Sequence, residues 1–310
     1  MIQKFSYLLL FLFFTLVGNA QVDRGSFLKF LENIKKNKGF LELEFSNFIN
    51  DADWMYEKTL PYIKGNDNES VVYYYSVAWV LAARTPSKNL KKKILNLFIE
   101  GADNKVFNTS IYCIRTLKLF KKEEYEREEI RKVLELLKSR NTPKFDLLLL
   151  CGYLNVKSEK KYIKKYIKKY FIGNYKPSYD QPYYKSNEWA AYLALSRMGD
   201  KASLQYILQK FRTENDLLEK CLTMSTQLDY VKRKETHNEL INIFTSDLVM
   251  PPDYPATKGI LCGQGFLNFL AKSVKNYPYP IKRVYYPEDI EKARAWFATR
   301  PKIIINRDIF

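Results

Sequence analysis

The sequence predicts an all-α protein built from short antiparallel helix pairs. Apolar residues recur at the three- and four-residue spacing of a core-facing helix, and turn residues interrupt them at short intervals. Similar units begin near Val71, Val106, Phe145 and Glu188, which lie 35, 39 and 43 residues apart. One such pair is too small to fold alone, so we expect neighbouring pairs to stack on each other.

The clearest unit spans residues 188–211. Its first half has an apolar face with small alanines between the large side chains, and its second half repeats Leu204, Ile207, Leu208 and Phe211. A Met-Gly-Asp turn ending at Asp200 joins the halves. This unit resembles a HEAT-type repeat, in which an aspartate is common at the turn, although the arginine often found early in the second helix is absent. The resemblance implies an α-solenoid of stacked antiparallel helix pairs, with irregular terminal caps, that binds or scaffolds other molecules and seldom catalyses.

The same spacing predicts the remaining helices. Three pairs precede the clearest unit, at 69–85 with 89–101, 106–120 with 125–139, and 145–155 with 158–171. An irregular pair follows at 217–230 with 235–244, and an apolar helix interrupted by two glycines is expected at 260–274. Segments 27–36 and 45–63 are expected to build the first cap.

The C-terminal end is predicted to close the stack. A helix at 288–298 has Pro287 at its first turn and acidic residues near its positive end. The β-prone tail 303–308 either lies extended against the last core layer, which we favour, or adds an edge to a partner. The expected organisation is therefore a cleaved signal peptide at 1–20, an N-terminal helical cap at 21–68, HEAT-like repeats at 69–247, and a C-terminal helical cap with a short extended tail at 248–310.

The first twenty residues are typical of a secretory signal peptide. Lys4 precedes an apolar run at 8–17, and Gly18, Asn19 and Ala20 form a small-x-small cleavage pattern. The apolar run is shorter than the roughly 20 residues needed to cross a bilayer. We therefore expect cleavage near Ala20 and a periplasmic or extracellular protein whose mature chain has no transmembrane segment.

The mature chain is strongly basic, which favours acidic partners. Without Lys4, the 51 basic and 34 acidic residues of the chain leave a net charge of +16. In an exported protein the expected partner is another protein or an anionic surface polymer, with peripheral contact to a membrane as a further option, and no nucleic acid is expected. Most of the excess is lysine, which suits a solvated surface better than bidentate phosphate recognition.

Cysteine and histidine usage bears on chemistry. The chain has four cysteines and no CxxC pair: Cys113, Cys151, Cys221 and Cys262. We favour buried thiols, and the first disulfide to test is the one between Cys113 and Cys151. The single histidine, His237, excludes a multi-histidine metal centre and is expected to be solvated or to cap a helix. No catalytic residue, metal or cofactor is therefore predicted.

The alternative class is an all-helical carbohydrate-active enzyme. An α/α-toroid glycosidase or polysaccharide lyase could use paired carboxylates. Such folds usually carry long loops rich in Gly, Asp and Trp, whereas this chain has 11 Gly and 4 Trp and mostly short connections. We therefore predict a binding protein without enzymatic activity.

Two kinds of segment provide the candidate binding residues. Segment 157–171 places its lysines opposite a stripe of tyrosine and isoleucine, which predicts either a basic ridge for anions or a solvated face over a buried stripe. The loops at 172–187 and 275–287 are long and rich in tyrosine and proline, and they either bind a partner or pack over the helices they connect. The candidates are Lys161, Lys164, Lys165, Lys168, Tyr175, Tyr179, Tyr183, Tyr184, Tyr277 and Tyr279.

Overall fold

A computed structural model describes residues 24–37, 51–65, 71–139, 142–155, 160–173, 183–250 and 260–310. The predicted signal peptide, segment 45–50, Tyr175 and Tyr179 lie outside these residues. The architecture is all-helical, as predicted. The chain forms two compact units, of which the first contains the described residues up to Phe120 with 126–143, and the second contains 121–125 with 144–310.

The first unit contains helices that pack on their neighbours in sequence order. The third helix contacts the fourth and the fifth, and the fourth contacts the fifth and the sixth. The buried side chains that join them include Tyr74, Leu90 and Phe98. The helices are α1 (Arg24–Asn37), α2 (Ala52–Lys64), α3 (Val71–Arg84), α4 (Lys88–Gly101), α5 (Phe107–Leu117) and α6 (Arg127–Leu136).

The second unit contains the remaining helices and one small strand pair. A π-helical turn at Glu219–Met224 leads into the fifth of these helices, and strands β1 (Val249–Met250) and β2 (Ile260–Leu261) pair antiparallel. The helices are α7 (Lys144–Leu154), α8 (Lys160–Tyr170), α9 (Asn187–Arg197), α10 (Lys201–Thr213), α11 (Ser225–Val231), α12 (Lys234–Phe244), α13 (Leu267–Ser273) and α14 (Pro287–Ala298). Each helix pair predicted between 69 and 213 is therefore present.

Helix α9 is the centre of the second unit. It contacts α7, α8, α10 and α11, and Trp189 and Leu193 are fully buried on it. Gly152 permits the close approach of α7, because a Cβ there would lie 2.7 Å from the Cα of Ala194. The helix begins where the hydroxyl of Ser186 accepts a hydrogen bond from the Trp189 N–H at 3.1 Å.

The predicted helix at 260–274 is wrong in its first half. The structure has strand β2, then a short 3-10 turn at Gln264–Phe266, and the α-helix begins only at Leu267. Gly263 lies against the α12 backbone, where a Cβ would be 2.5 Å from the Cα of Phe244. This close contact places the turn at 262–263 against α12, so the helix cannot begin before that turn.

The cysteines behave differently from one another. Cys221 and Cys262 form a disulfide across 41 residues of sequence, which joins the π-helical turn to the segment after β2. Cys113 and Cys151, the pair predicted as the first to test, are free and buried. Burial raises the pKa of both thiols. The expectation of buried thiols is therefore confirmed for one pair only.

The C-terminal tail packs on its own unit, as we favoured. Ile305 forms an antiparallel bridge with Val274, and the Asn306 N–H donates to the Ser273 carbonyl at 2.7 Å. Arg197 donates to the Ile309 carbonyl at 2.6 Å, and its guanidinium lies 6.0 Å from the Phe310 ring centroid. The tail therefore covers the end of α13 and one side of α9.

Candidate binding surface

Helix α8 carries the predicted lysines, and the structure divides them into two classes. Ile167 is fully buried, which orients the helix with its apolar side inward. Lys161 and Lys165 are exposed. The Nζ atoms of Lys164 and Lys168 lie 3.6 and 3.2 Å from the Oδ2 atom of Asp200, the residue before α10, and Lys168 is also exposed. We call Lys161, Lys164, Lys165 and Lys168 the lysine ridge.

Asp200 anchors the ridge to the rest of the unit. Its Oδ1 accepts hydrogen bonds from the backbone N–H of Ser203 at 3.1 Å and from its hydroxyl at 3.0 Å, which caps α10. Partial burial acts to raise the pKa of Asp200, but the hydrogen bonds from Ser203 and the ammonium of Lys168 outweigh it and lower the pKa to about 2. The aspartate that carried the HEAT resemblance is therefore ionised and holds two ridge lysines near α10.

The end of α8 is also tied to α9. The backbone N–H of Gly173 donates to the Oε1 atom of Glu188 at 2.8 Å, and Gly173 has a positive φ of 78° that favours glycine. Glu188 lies one helical turn before Tyr192, so both residues share a face of α9. This places the start of the tyrosine-bearing face beside the last turn of α8.

Three tyrosines from three segments meet on that face, two of them stacked and the third, Tyr183, edge-on to Tyr206. The rings of Tyr192 on α9 and Tyr206 on α10 lie 4.1 Å apart at 24°, and the hydroxyl of Tyr206 donates to that of Tyr183 at 2.9 Å. Burial and this bond raise the pKa of Tyr183. The ammonium of Lys210 lies 5.6 Å from the Tyr183 ring centroid and 5.9 Å from that of Tyr206. We call Tyr183, Tyr192 and Tyr206 the tyrosine cluster.

The cluster is half-buried, and its inner edge is fixed. The Tyr183 ring packs edge-on against Trp189 at 5.8 Å, and the Trp189 indole N–H donates to Gln227 on α11 at 2.6 Å. Gln227 in turn donates to the carbonyl of Tyr184 at 3.0 Å. Tyr184 is thus held by its backbone, and burial with a hydrogen bond to Glu219 raises the pKa of its hydroxyl. The rings are therefore placed by a rigid scaffold.

The second tyrosine loop behaves as a packed segment at its base. The Tyr277 ring lies 5.7 Å from Trp296 and stacks on Phe297 at 6.1 Å, and burial raises its pKa to about 12. Tyr279 is 37% exposed and lies 5.6 Å from Tyr277. Tyr277 therefore packs on α14, and neither Tyr277 nor Tyr279 is part of the tyrosine cluster.

The sequence did not indicate Tyr192, Tyr206 or Lys210 as binding residues. Tyr192 has the spacing of a core residue of α9, and Tyr206 and Lys210 fit the outer face of α10. Only the antiparallel packing of α9 on α10 brings them to Tyr183. A tyrosine among the alanines and leucines of α9 is the feature that could have singled out Tyr192.

A buried polar network joins α11, α12 and α13. Lys232 donates to the Oδ2 atom of Asp229 at 2.5 Å and to the Ser273 hydroxyl at 2.6 Å, and that hydroxyl donates to Oδ1 of Asp229 at 2.6 Å. Burial acts to raise the pKa of Asp229, but His237 and Lys232 outweigh it and lower the pKa. Ser273 is fully buried and Lys232 is 2% exposed, so the hydroxyl is closed to a substrate and the network holds the helices together.

The prediction of a solvated or capping His237 is wrong as to its exposure. The side chain is fully buried, with Nε2 3.3 Å from Oδ1 of Asp229 and Nδ1 3.1 Å from the Arg233 carbonyl. It faces inward because α12 packs this side on α11.

Within the described residues, no group of three or more His, Cys, Asp and Glu side chains could hold a metal ion. None of the helices in the part of the chain that the structure describes has the length and apolar composition needed to cross a membrane.

No protein-family model matches this chain. Comparison with curated proteins and with solved structures likewise finds no match.

Proposed function

We propose that this protein is an exported, non-enzymatic helical-repeat protein that binds an anionic surface polymer across the lysine ridge and the tyrosine cluster. The observation that carries the proposal is that α8, which carries exposed lysines, is tied through Lys168 to Asp200 at the start of α10, and that α10 shares a stacked pair of tyrosine rings with α9. The proposed architecture is an α-solenoid in which the helix pairs stack as HEAT-type repeats do. Under this proposal the two sets of side chains form one binding surface.

The chemistry of the surface suits an acidic polysaccharide. Lys161 and Lys165 are exposed, and Lys210 lies over the rings of the tyrosine cluster, so cationic groups lie on both parts of the surface. Tyrosine rings supply apolar faces for the C–H side of a sugar and hydroxyls for its polar groups. Lysine attracts a flexible polyanion as a point charge without demanding the bidentate geometry that favours arginine.

Two features support export. The predicted signal peptide at 1–20 is one. The disulfide between Cys221 and Cys262 is the second, because disulfides persist in oxidising compartments and are rare in the cytosol. A net charge of +16 favours an acidic partner in whichever compartment the protein reaches.

The test measures retention of the mature chain, from Gln21 onward, on columns of anionic and neutral polysaccharide at low and physiological salt. Lys161→Gln with Lys165→Gln should weaken retention on the anionic column by roughly three- to tenfold, because each exposed ion pair contributes about 0.5 kcal/mol. The matched control, Lys29→Gln with Lys105→Gln, removes the same charge from exposed positions in the first unit.

Equal weakening by both variants would reduce the proposal to a nonspecific effect of net charge. Retention on polysaccharide that survives both variants and persists at high salt would contradict an ionic role for the lysine ridge and leave the tyrosine cluster as the site of contact. Tyr206→Phe removes only the hydroxyl that donates to Tyr183 and leaves the ring in place. Weaker retention of this variant would assign the contact to the tyrosine cluster.

A further inference from the structure

The loop between α13 and α14 presents apolar side chains to solvent. We call residues 278–286 the apolar loop. Ile281 is 57% exposed, Val284 61% and Tyr286 59%. Isolated exposed apolar residues are ordinary on a protein surface, but three within one short loop form a local patch.

The apolar loop is held in this form by its own contacts. Pro278 and Pro280 fix two backbone angles, and the backbone N–H of Lys282 donates to the Tyr285 hydroxyl at 3.1 Å. At its base, Tyr277 packs between Tyr279 and the aromatic pair of α14. The exposed side chains therefore project from a fixed base, which lowers the entropy lost when they bind.

The stretch of chain that contains the apolar loop is rich in basic residues. No acidic residue occurs between Asp253 and Glu288, whereas that stretch contains Lys258, Lys272, Lys275, Lys282 and Arg283. The next acidic residues lie in the first turn of α14. There Asp289 accepts a hydrogen bond from the Tyr286 N–H at 3.1 Å and pairs with Lys282 at 2.7 Å. Lys275 pairs with Asp308 at 3.4 Å, so two of these cations lie beside carboxylates, while the segment itself remains basic.

We propose that the apolar loop docks the protein on an anionic lipid surface, with Ile281, Val284 and Tyr286 entering the headgroup region and the flanking cations facing lipid phosphates. Two features favour lipid over a protein partner. Valine is rare among the residues that dominate protein interfaces, and basic residues beside an apolar tip complement anionic lipids. Tyr286 suits either partner, because tyrosine is enriched both at protein interfaces and at the membrane–water interface. Contact would be peripheral, and it is independent of the lysine ridge.

The test measures cosedimentation of the mature chain with phosphatidylcholine vesicles, with and without about one third phosphatidylglycerol as the anionic lipid. Ile281→Ser with Val284→Ser should weaken binding to anionic vesicles by about tenfold or more, because two aliphatic side chains no longer leave water. Leu222→Ser is the control, because Leu222 is an aliphatic residue that is 51% exposed on a different segment. This variant should bind vesicles as the unchanged protein does.

A second measurement reports insertion directly. In a Val284→Trp variant, tryptophan emission should shift to the blue and be quenched by brominated lipids more strongly than in the unchanged protein. The proposal would be overturned if Ile281→Ser with Val284→Ser bound anionic vesicles as well as the unchanged protein does. It would also be overturned if Lys161→Gln with Lys165→Gln lost vesicle binding instead. The absence of quenching in the Val284→Trp variant would likewise overturn it and would leave the apolar loop to a protein partner.

Discussion

The disulfide between Cys221 and Cys262 gives the most quantitative prediction. It joins residues 41 apart in sequence and so closes a loop that contains β1, α11 and α12. In the chain-entropy model, a closed loop of this size stabilises the folded state by about 4 kcal/mol at 25 °C, which corresponds to roughly 10 °C in Tm for a unit of this size. Cys221→Ser with Cys262→Ser should therefore lower the Tm of the second unit by about that amount.

The assay compares thermal unfolding of both proteins by circular dichroism, with and without a reductant. The reductant should lower the Tm of the unchanged protein to that of the double variant and leave the double variant unaffected. This control separates loss of the cross-link from effects of reductant on the buried thiols of Cys113 and Cys151.

The chemical state is tested by counting thiols. Protein produced with its own signal segment, exported, and unfolded in an alkylating agent without reductant should carry two labels, at Cys113 and Cys151. Four labels would show that Cys221 and Cys262 are reduced, and this would refute the disulfide and remove one support for export.

Two further perturbations test the polar groups of the second unit. Asp229→Asn should destabilise the protein by about 3 to 5 kcal/mol in urea unfolding, because Lys232 keeps a buried charge without its counter-ion. Adding Lys232→Met should recover part of that loss, and strict additivity would argue against the pairing. At Asp200, Asn retains an oxygen to cap α10 and should cost about 0.5 kcal/mol at neutral pH, whereas Ala should cost about 1 kcal/mol more. Because the folded pKa of Asp200 is about 2 against an ordinary 3.8, its ionic contribution is complete above pH 4 and disappears as the pH falls towards 2. The gap between the unchanged protein and Asp200→Asn should therefore close in acid, and a gap that persists at pH 2 would contradict this role.

The helices and their order could be predicted from the sequence because the information is local. Apolar spacing, the proline before α14 and the turn aspartate at Asp200 act within a few residues, so each helix pair between 69 and 213 was found. The failure at 260–266 has a tertiary cause, since Gly263 must lie against Phe244 and Cys262 must reach Cys221. The same limit explains why the buried position of His237 was missed.

The sequence by itself determined the all-helical class, the basic charge and the residue types from which a binding surface could be made. Only the tertiary structure decided how those residues combine. It pairs Lys164 and Lys168 with Asp200, and it assembles the tyrosine cluster from three segments. It also leaves Ile281 and Val284 in solvent. The physical reason is that periodicity fixes which face of a helix is apolar, whereas the packing of one helix on another fixes which polar and aromatic side chains meet.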